Sequence, residues 1–284
     1  SVSVFTVMLG FGIISPLLPV YATSVGATGL WLGIIFAGFS VSRTFLMPVM
    51  GRLSDKQSKK RIIVLGLLLY TVISVLYIFA SDVYFLTLVR MFHGLASVMV
   101  IPIAMAIIGE TSVEGEEGIQ MSTISTSRVL GRGFGPLIGG AIYAAFGMSS
   151  VFLVMSGLSV VAFVMVLLFI PDTKDLGVQK NTLSYRQVLK SVRIRGLFLY
   201  RFARAINLGV FFVFLPLFAT VIGLSVFEIG VLISSILVLT ALLQRPFGYL
   251  ADRFDRLNLI IFGFIFSAIP LFILPHTSNF VDLI

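Results

Sequence analysis

The sequence has no cysteine and little charge. Without cysteine, disulfides, thiol chemistry and cysteine-bound metals are excluded, and the two histidines, His93 and His276, lie too far apart in sequence to suggest a metal site. Charged residues make up 11% of the chain, hydrophobic residues make up 58%, and the mean hydropathy is +1.10. A soluble domain carries about 25% charged residues. The composition therefore predicts an integral membrane protein.

Motifs of common enzyme classes are also missing. The chain has no Gly-x-x-x-x-Gly-Lys-Ser/Thr phosphate loop, no His-Glu-x-x-His and no Gly-x-Ser-x-Gly. We therefore expect neither an ATP-driven pump nor another enzyme, and no cofactor. The net charge of +8 does not indicate a nucleic acid partner, because the cations alternate with segments too apolar for an aqueous groove.

Long apolar segments dominate what is present. A helix needs about 20 apolar residues to cross the hydrocarbon core. Nine segments reach that length, at 2–23, 28–50, 62–80, 83–109, 119–145, 149–170, 197–221, 227–249 and 258–275. The sequence therefore predicts an all-α integral membrane protein, with its helices in contact with the lipid bilayer. The chain opens inside an apolar segment without a Met and stops as another begins, which predicts a fragment.

The charges between these segments fix an orientation. Loops 51–61, 110–118, 171–196 and 250–257 hold thirteen Lys and Arg residues, and the opposite loops hold none. Short loops rich in Lys and Arg stay on the cytoplasmic side. We expect a multi-pass protein of the cytoplasmic membrane, with these loops inside the cell.

The chain also repeats itself. LPVYATSVG at 18–26 returns as LPLFATVIG at 215–223, an offset of 197 residues. The same offset relates Pro19 to Pro216, Ala22 to Ala219, Thr23 to Thr220, Gly26 to Gly223, Gly33 to Gly230, Gly51 to Gly248, Leu53 to Leu250 and Asp55 to Asp252. A parallel repeat is typical of transporters whose halves rock about a central site. We expect an N-terminal six-helix bundle at 1–170, a cytoplasmic central loop at 171–196 and a partial C-terminal bundle at 197–284, containing helices 7–9 and the start of helix 10. About nine of twelve helices would then be present.

The charged segment GRLSDKQSKKR at 51–61 resembles the signature of the major facilitator superfamily, Gly-x-Leu-Ala-Asp-Arg-x-Gly-Arg-Arg. Ser58 replaces a glycine of that pattern, at a modest backbone cost if the glycine is there for a positive φ. GYLADRFD at 248–255 resembles a weaker second copy. The resemblance implies a conformational latch in which Asp55 accepts hydrogen bonds at a helix N-terminus. The latch residues would be Gly51, Asp55, Lys56, Lys59, Lys60, Arg61, Gly248, Asp252 and Arg253.

Two further stretches resemble the twelve-helix drug exporters of this superfamily. LGFGIISPLLP at 9–19 is similar to their first-helix pattern, through Gly10, Pro16 and Pro19, and its prolines permit a bend. The fifth predicted helix carries a motif associated with antiporters, formed by Gly131, Gly135, Pro136, Gly139 and Gly140. Glycines four residues apart make a smooth stripe for close helix packing.

RMFHGLAS at 90–97 resembles the family's fourth-helix motif, with His93 in place of glutamine. Arg90, His93, Gly94 and Ser97 fall on one helix face, and an intramembrane charge is costly in lipid, so this face is expected to line a substrate cavity. Arg128 and Arg132 project near the glycine stripe and are expected inside as well. Arg43 and Arg245 lie near the inner ends of predicted helices 2 and 8. Their side chains are therefore expected to snorkel, with the charged group in the water at the membrane surface.

Acids are absent from the middle of all nine segments. Either His93 carries a coupling proton, or an acid lies beyond this chain, or coupling is absent. The surplus of arginine favours an anionic or amphipathic substrate.

The resemblance implies a monomeric, proton-coupled exporter of small organic compounds that works by alternating access. The alternatives are a uniporter or symporter for a sugar or organic anion, and a non-transporting membrane sensor.

Overall fold

The computed structural model describes residues 2–111, 117–170, 192–254, 256–273, 276–277 and 280–283. Ten α-helices form within these ranges, and the described part contains no strand. They are α1 (Val2–Ile14), α2 (Leu17–Ser24), α3 (Gly29–Lys56), α4 (Lys59–Leu76), α5 (Val83–Thr111), α6 (Glu117–Phe169), α7 (Val192–Val221), α8 (Val226–Arg253), α9 (Arg256–Ile273) and α10 (Phe280–Leu283). A short 3-10 helix, Tyr77–Phe79, follows α4. The predicted all-α fold is confirmed.

Helix α6 contains two predicted spans. Its apolar part runs from Ser125 to Phe169, and 45 helical residues are about 68 Å long, twice the hydrocarbon thickness of about 30 Å. Gly147 interrupts it with φ 77° and ψ −179°, a backbone conformation that favours glycine. On length and composition, six helices of the described part qualify as membrane spans, and the bent pair α1–α2 makes a seventh.

The charged segment 51–61 is mostly helical and not a loop. Helix α3 continues to Lys56, six residues beyond its predicted end, and α4 begins at Lys59, so only Gln57 and Ser58 connect them. Lys, Arg and Leu are good helix formers, and a helix can project from the membrane into water. Arg43 consequently lies near the middle of α3, not near its inner end. Of the predicted central loop, residues 171–191 lie outside the described residues, and residues 192–196 already belong to α7.

The first six predicted spans pack in pairs. Helix α1 lies along α6, α3 lies along α5, and α4 contacts both α5 and α6. The Tyr21 hydroxyl donates to the carbonyls of Tyr77 and Ala80 at 2.8 Å each and so ties α2 to the end of the third span. Large apolar side chains such as Phe45 and Phe146, each 75% exposed, cover the outside. Such a surface is suited to lipid and not to water.

The two copies of the sequence repeat end their helices in the same way. After α2, Gly26 has φ 91°, its N–H donates to the Thr23 carbonyl, and the Ala27 N–H donates to the Ala22 carbonyl. After α7, the pattern returns at Gly223 with φ 87° and the bonds Gly223 to Thr220 and Leu224 to Ala219. Both are Schellman caps, in which a glycine adopts the left-handed conformation.

Helices after residues 171–191, the second predicted half, also contact helices before them, the first predicted half. Helix α2 touches α7, its counterpart in the repeat, and α8 lies along α6. The α6–α8 contact is the larger of the two and brings the antiporter-like motif to the boundary between the halves.

Candidate functional site

Arg90 lies inside the first bundle, on α5. It is 4% exposed, and its guanidinium carbon lies 5.3 Å from the ring centre of Phe36 and 4.7 Å from that of Phe39, both on α3. Cation–π attraction of this kind partly replaces the water that the charge loses. The cost of placing an arginine in lipid predicts this inward orientation, but whether the predicted face of Arg90 meets a substrate stays a prediction.

His93, one turn further along α5, is fully buried among aromatic rings. Its ring meets Phe39 at 5.3 Å and Tyr70 at 4.9 Å, both edge-on. Its Nδ1 lies 3.0 Å from the Tyr77 hydroxyl, and the donor depends on the tautomer of His93. The hydroxyl therefore holds the imidazole in one orientation within the cluster.

Several polar atoms of this cluster have no hydrogen-bond partner among the described residues. These atoms are Tyr70 Oη, Arg90 Nε, His93 Nε2 and Ser97 Oγ. Buried polar atoms are nearly always paired with protein or ordered water. Tyr70 and Ser97 lie close enough to interact with each other, which leaves Arg90 Nε and His93 Nε2 as the unpaired atoms of a polar interior. The predicted residues Arg90, His93 and Ser97 are brought together here.

Gly94 serves close helix packing on the same face of α5. A Cβ atom at Gly94 would collide with the Phe39 carbonyl oxygen and would lie 2.9 Å from Ser42 Oγ. Ser42 Oγ in turn donates to the Met91 carbonyl at 2.6 Å. Gly94 therefore lets α3 approach α5, which brings Phe39 over Arg90.

Arg128 and Arg132 lie one turn apart on α6. The Arg132 guanidinium carbon is 5.0 Å from the ring centre of Phe11 on α1, and the side chain is exposed. Phe11 and Phe39 lie 6.0 Å apart, so the two arginine sites share an aromatic wall. Arg43 and Arg128 are both near enough to Arg132 to repel it electrostatically.

The antiporter-like motif divides between two neighbouring helices, and its predicted glycine stripe faces α1. A Cβ atom at Gly131, Gly135 or Gly139 would lie 2.5 to 2.7 Å from the backbone of α1. Gly12 of α1 faces them, and a Cβ atom there would lie 3.0 Å from the Gly131 carbonyl oxygen. Small residues on both helices allow this approach, and a side chain at any of the three would separate α1 from α6.

The other face of α6 contacts α8. A Cβ atom at Gly230 would lie 2.5 Å from the Pro136 carbonyl oxygen, and one at Gly140 would lie 3.1 Å from the Val226 carbonyl oxygen. The Leu137 N–H donates to Ser234 Oγ at 2.9 Å. Gly140 and Pro136 therefore belong to the boundary between the halves.

The first-helix motif produces a bend. Helices α1 and α2 meet at 45°, and Pro16 stands immediately before α2 while Pro19 lies inside it. Proline has no N–H to donate, which removes a helical hydrogen bond. Gly10 lies close to Met155 of α6, where an added Cβ atom would be 3.4 Å from its Cγ.

Most latch residues lie at the water-facing junction of α3 and α4. Gly51, Asp55, Lys56 and Arg61 are exposed, whereas Lys59 is 7% exposed. Lys60 donates from Nζ to the Leu167 carbonyl at 2.9 Å, so it ties the junction to the end of α6. The latch role of this set stays a prediction.

Ser58 stands where the family pattern has glycine, and it is unstrained. Its φ is −57°, and its hydroxyl accepts from the Arg61 N–H at the start of α4. The expected backbone cost is therefore absent, because serine is a favoured N-cap residue. The second copy of the latch ends α8, but the surroundings of Gly248 and the side chains of Asp252, Arg253 and Arg245 lie outside what the structure describes.

Sequence reasoning missed the aromatic partners of this site and two of its contact residues. The arginines contact Phe11, Phe36 and Phe39, and His93 contacts Tyr70 and Tyr77. Gly12 and Ser234 complete the α6 contacts. The seven-residue spacing of Tyr70 and Tyr77 puts them on one face of the third span, which is a signal that the sequence does carry. In the part of the chain that the structure describes, no group of three His, Cys, Asp or Glu could hold a metal ion.

Comparison with known proteins identifies the family. Residues 1–284 match the profile of the Major Facilitator Superfamily. An uncharacterised MFS-type transporter of Methanocaldococcus jannaschii is 31% identical over 100% of this chain and 75% of its own length. The multidrug resistance protein MdtG of Proteus mirabilis is 27% identical over 96% of this chain and 71% of its own.

The fold agrees with this match. The crystal structure of a bacterial homologue of the human lysosomal transporter Spinster, inward-facing and unoccupied, superposes with a TM-score of 0.69. That superposition covers 89% of this chain and 62% of the other, at 14% identity. The family match over the whole chain and the multi-pass helical fold lead to one conclusion: this chain belongs to the Major Facilitator Superfamily, a family of membrane transporters.

Proposed function

We propose that this chain belongs to a proton-coupled exporter of small organic compounds, working as a monomer by alternating access. The observation that carries the proposal is the α6–α8 crossing, where Gly140 and Gly230 bring the backbones of the two halves together. Where backbone lies against glycine, few side chains interlock, so one helix can tilt against the other at low cost. Such a contact suits gating in which one half rocks against the other.

The relatives support export in particular. MdtG is named a multidrug resistance protein, and the antiporter-like motif of α6 occupies the crossing described above. The substrate would bind beside the arginine and aromatic side chains of the first bundle. The junction of α3 and α4, with Asp55, would act as the latch that stabilises one of the two states.

Transport by the full chain in proteoliposomes tests this proposal. With an acidic lumen, outward proton flow is expected to drive a fluorescent organic dye into the vesicles, at least fivefold above vesicles whose gradient has been dissipated with nigericin. Two dyes are used, the cation ethidium and the anion fluorescein, so that substrates of either charge are tested. Dye binding without counterflow would contradict transport and favour a membrane sensor.

The latch has a matched test in the same assay. Asp55→Asn is expected to lower the transport rate about tenfold while dye binding stays within twofold, because a neutral amide loses the attraction of an anion to a helix N-terminus. Asp82→Asn is the control at the opposite membrane face. Asp82 caps α5 by accepting from the Tyr84 and Phe85 N–H groups at 2.9 Å, and Asn caps equally well. Unchanged transport in Asp55→Asn would exclude the latch.

A second candidate function is a carrier for organic anions without proton coupling. It is favoured by the position of the 12 acids, none of which lies in the middle of a predicted span. If the rate of downhill dye flux does not depend on an imposed pH gradient, this candidate replaces the antiporter.

A further inference from the structure

Two arginines and two phenylalanines form a continuous row through the first bundle. Arg90 lies over Phe39 at 4.7 Å, Phe39 meets Phe11 at 6.0 Å, and Arg132 lies over Phe11 at 5.0 Å. The four side chains come from α5, α3, α1 and α6 in that order. We name Arg90, Phe39, Phe11 and Arg132 the Arg–Phe row. The two aromatic rings lie between the two cations, so a flat ring with an anionic substituent finds an aromatic face beside a positive charge.

The charge around this row is positive. Arg43 and Arg128 add to the field at Arg132, which gives four guanidinium groups in or beside the row. None of the 12 acidic residues of the chain lies in the middle of a predicted span. Intramembrane arginines are normally paired with an acidic side chain or with backbone carbonyls. Here the spans themselves bring no carboxylate to the row, so an anionic guest would supply the missing charge.

The row has an open end and a closed end. Arg132 is exposed and Phe11 is half-buried, whereas Phe39 and Arg90 are 7% and 4% exposed. At the closed end, Arg90 Nε and His93 Nε2 are buried without a hydrogen-bond partner among the described residues. A guest can therefore reach Arg132 first, and the interior still offers unpaired polar atoms to it.

We propose that the Arg–Phe row is a binding site for planar aromatic anions, such as aromatic carboxylates, with the anionic group at Arg132 and the ring against Phe11. This inference rests on the proposed function, because it assigns the substrate class of that carrier. It adds a preference that the general proposal does not contain: organic anions bind more tightly than organic cations of similar size.

Equilibrium binding to the purified full chain tests the inference, with fluorescein as the aromatic anion and ethidium as the aromatic cation. Fluorescein is expected to bind at least tenfold more tightly than ethidium. Arg132→Gln removes the charge and is expected to weaken fluorescein binding at least tenfold. The matched control is Arg52→Gln, which makes the same change at an exposed cation near the inner end of α3, and its affinity should stay within twofold of the wild type.

Two further variants separate the site from a general effect on folding. Arg132→Lys keeps the charge without the planar fork and is expected to lose less affinity than Arg132→Gln. Phe11→Leu keeps an apolar side chain and removes the aromatic face, which should weaken fluorescein binding about threefold with little change for ethidium. If Arg132→Gln does not fold, Phe11→Leu decides, and an unchanged affinity for fluorescein in that variant overturns the inference.

The outcomes distinguish this inference from the proposed function. Driven transport of ethidium without fluorescein binding keeps the exporter and overturns the anion site. Fluorescein binding that depends on Arg132, without driven transport of either dye, keeps the anion site and overturns the exporter. Tighter binding of ethidium than of fluorescein overturns the inference whatever the transport assay gives.

Discussion

The helix pairs α2–α3 and α7–α8 are two copies of one sequence pattern, and they differ in what they touch. Both first helices end in the same Schellman cap, at Gly26 and at Gly223. Gly33 on α3 then has nothing within 4 Å of an added Cβ atom, whereas its counterpart Gly230 on α8 lies against the Pro136 carbonyl oxygen. Local sequence therefore dictates the turn, and the neighbouring half of the protein decides what the following glycine is used for.

The starts of the two second helices differ as well. Ser225 forms a full capping box with Glu228 at the start of α8. Its counterpart Thr28 has the same extended backbone but makes no side-chain cap, and Trp31 stands where α8 has Glu228. The second copy is therefore held by its own side chains at the end that meets α6, where Val226 and Phe227 contact Gly140.

Alanine at the two equivalent glycines gives the sharpest contrast. Gly230→Ala is expected to reduce the free energy of unfolding by about 3 kcal/mol, the upper end for overpacking, because the obstacle is backbone and cannot rotate away. Gly33→Ala meets open space and is expected to be neutral or slightly stabilising, since alanine is a better helix former than glycine. Unfolding of the purified chain in mixed micelles, titrated with SDS, measures both.

Gly157 on α6 is the control for this pair, because it too has nothing within 4 Å of an added Cβ atom. A loss at Gly33 equal to that at Gly230 would mean that α3 has a close partner of its own, and the contrast between the copies would disappear. A neutral Gly230→Ala would mean that α6 and α8 separate more easily than the crossing suggests.

The sequence was informative where a pattern has one physical meaning. Each of the nine predicted segments overlaps a helix, and both caps lie in the stretches that the offset of 197 residues relates. The sequence is silent on which neighbour each residue of a motif meets. Gly131, Gly135 and Gly139, the predicted stripe, all face α1, whereas Gly140 of the same motif faces α8. Which neighbour a glycine meets depends on how distant helices pack, and no local pattern carries that information.

The arginines teach the same lesson about the site. The energetic cost of a charge in lipid is enough, by itself, to predict that Arg90 points into the bundle. That argument cannot find Phe11 and Phe39, because aromatic residues are abundant in a membrane protein and most of them serve lipid contact or packing. Likewise, the charge of segment 51–61 predicts a loop, although its residues are good helix formers and α3 simply continues into water.

The caps provide a test in which the two copies should behave alike. Gly26→Ala and Gly223→Ala each force a non-glycine residue into φ near 90°, where the cost is about 1–2 kcal/mol, and neither meets a steric obstacle. The two losses are expected to agree within about 0.5 kcal/mol and to add in the double variant, since distant sites are independent. Clearly unequal losses in the free energy of unfolding would show that one of the two turns is stabilised by contacts outside its own helix end. The same micelle titration measures all three variants.

The smallest change concerns a contact that only the second copy has. Ser234 accepts from the Leu137 N–H at 2.9 Å and is 6% exposed, while the equivalent position in the first copy is Ala37. Ser234→Ala therefore gives the second copy the residue of the first. A net hydrogen bond is worth about 1 kcal/mol, so the arrangement in which α6 and α8 touch is expected to lose about fivefold in population.

The absence of cysteine makes this shift measurable without removing native thiols. Spin labels at Phe146→Cys on α6 and Val221→Cys on α7 would report the distance between the halves at exposed positions, 75% and 82% accessible. Ser235→Ala, an exposed neighbour on α8, is the control and should leave the distance distribution unchanged. If the distance distribution of Ser234→Ala overlaps that of the wild type, the glycines alone stabilise the α6–α8 contact. In that case the hydrogen bond between Leu137 and Ser234 does not stabilise the α6–α8 contact, and the difference between the two copies comes from Gly230.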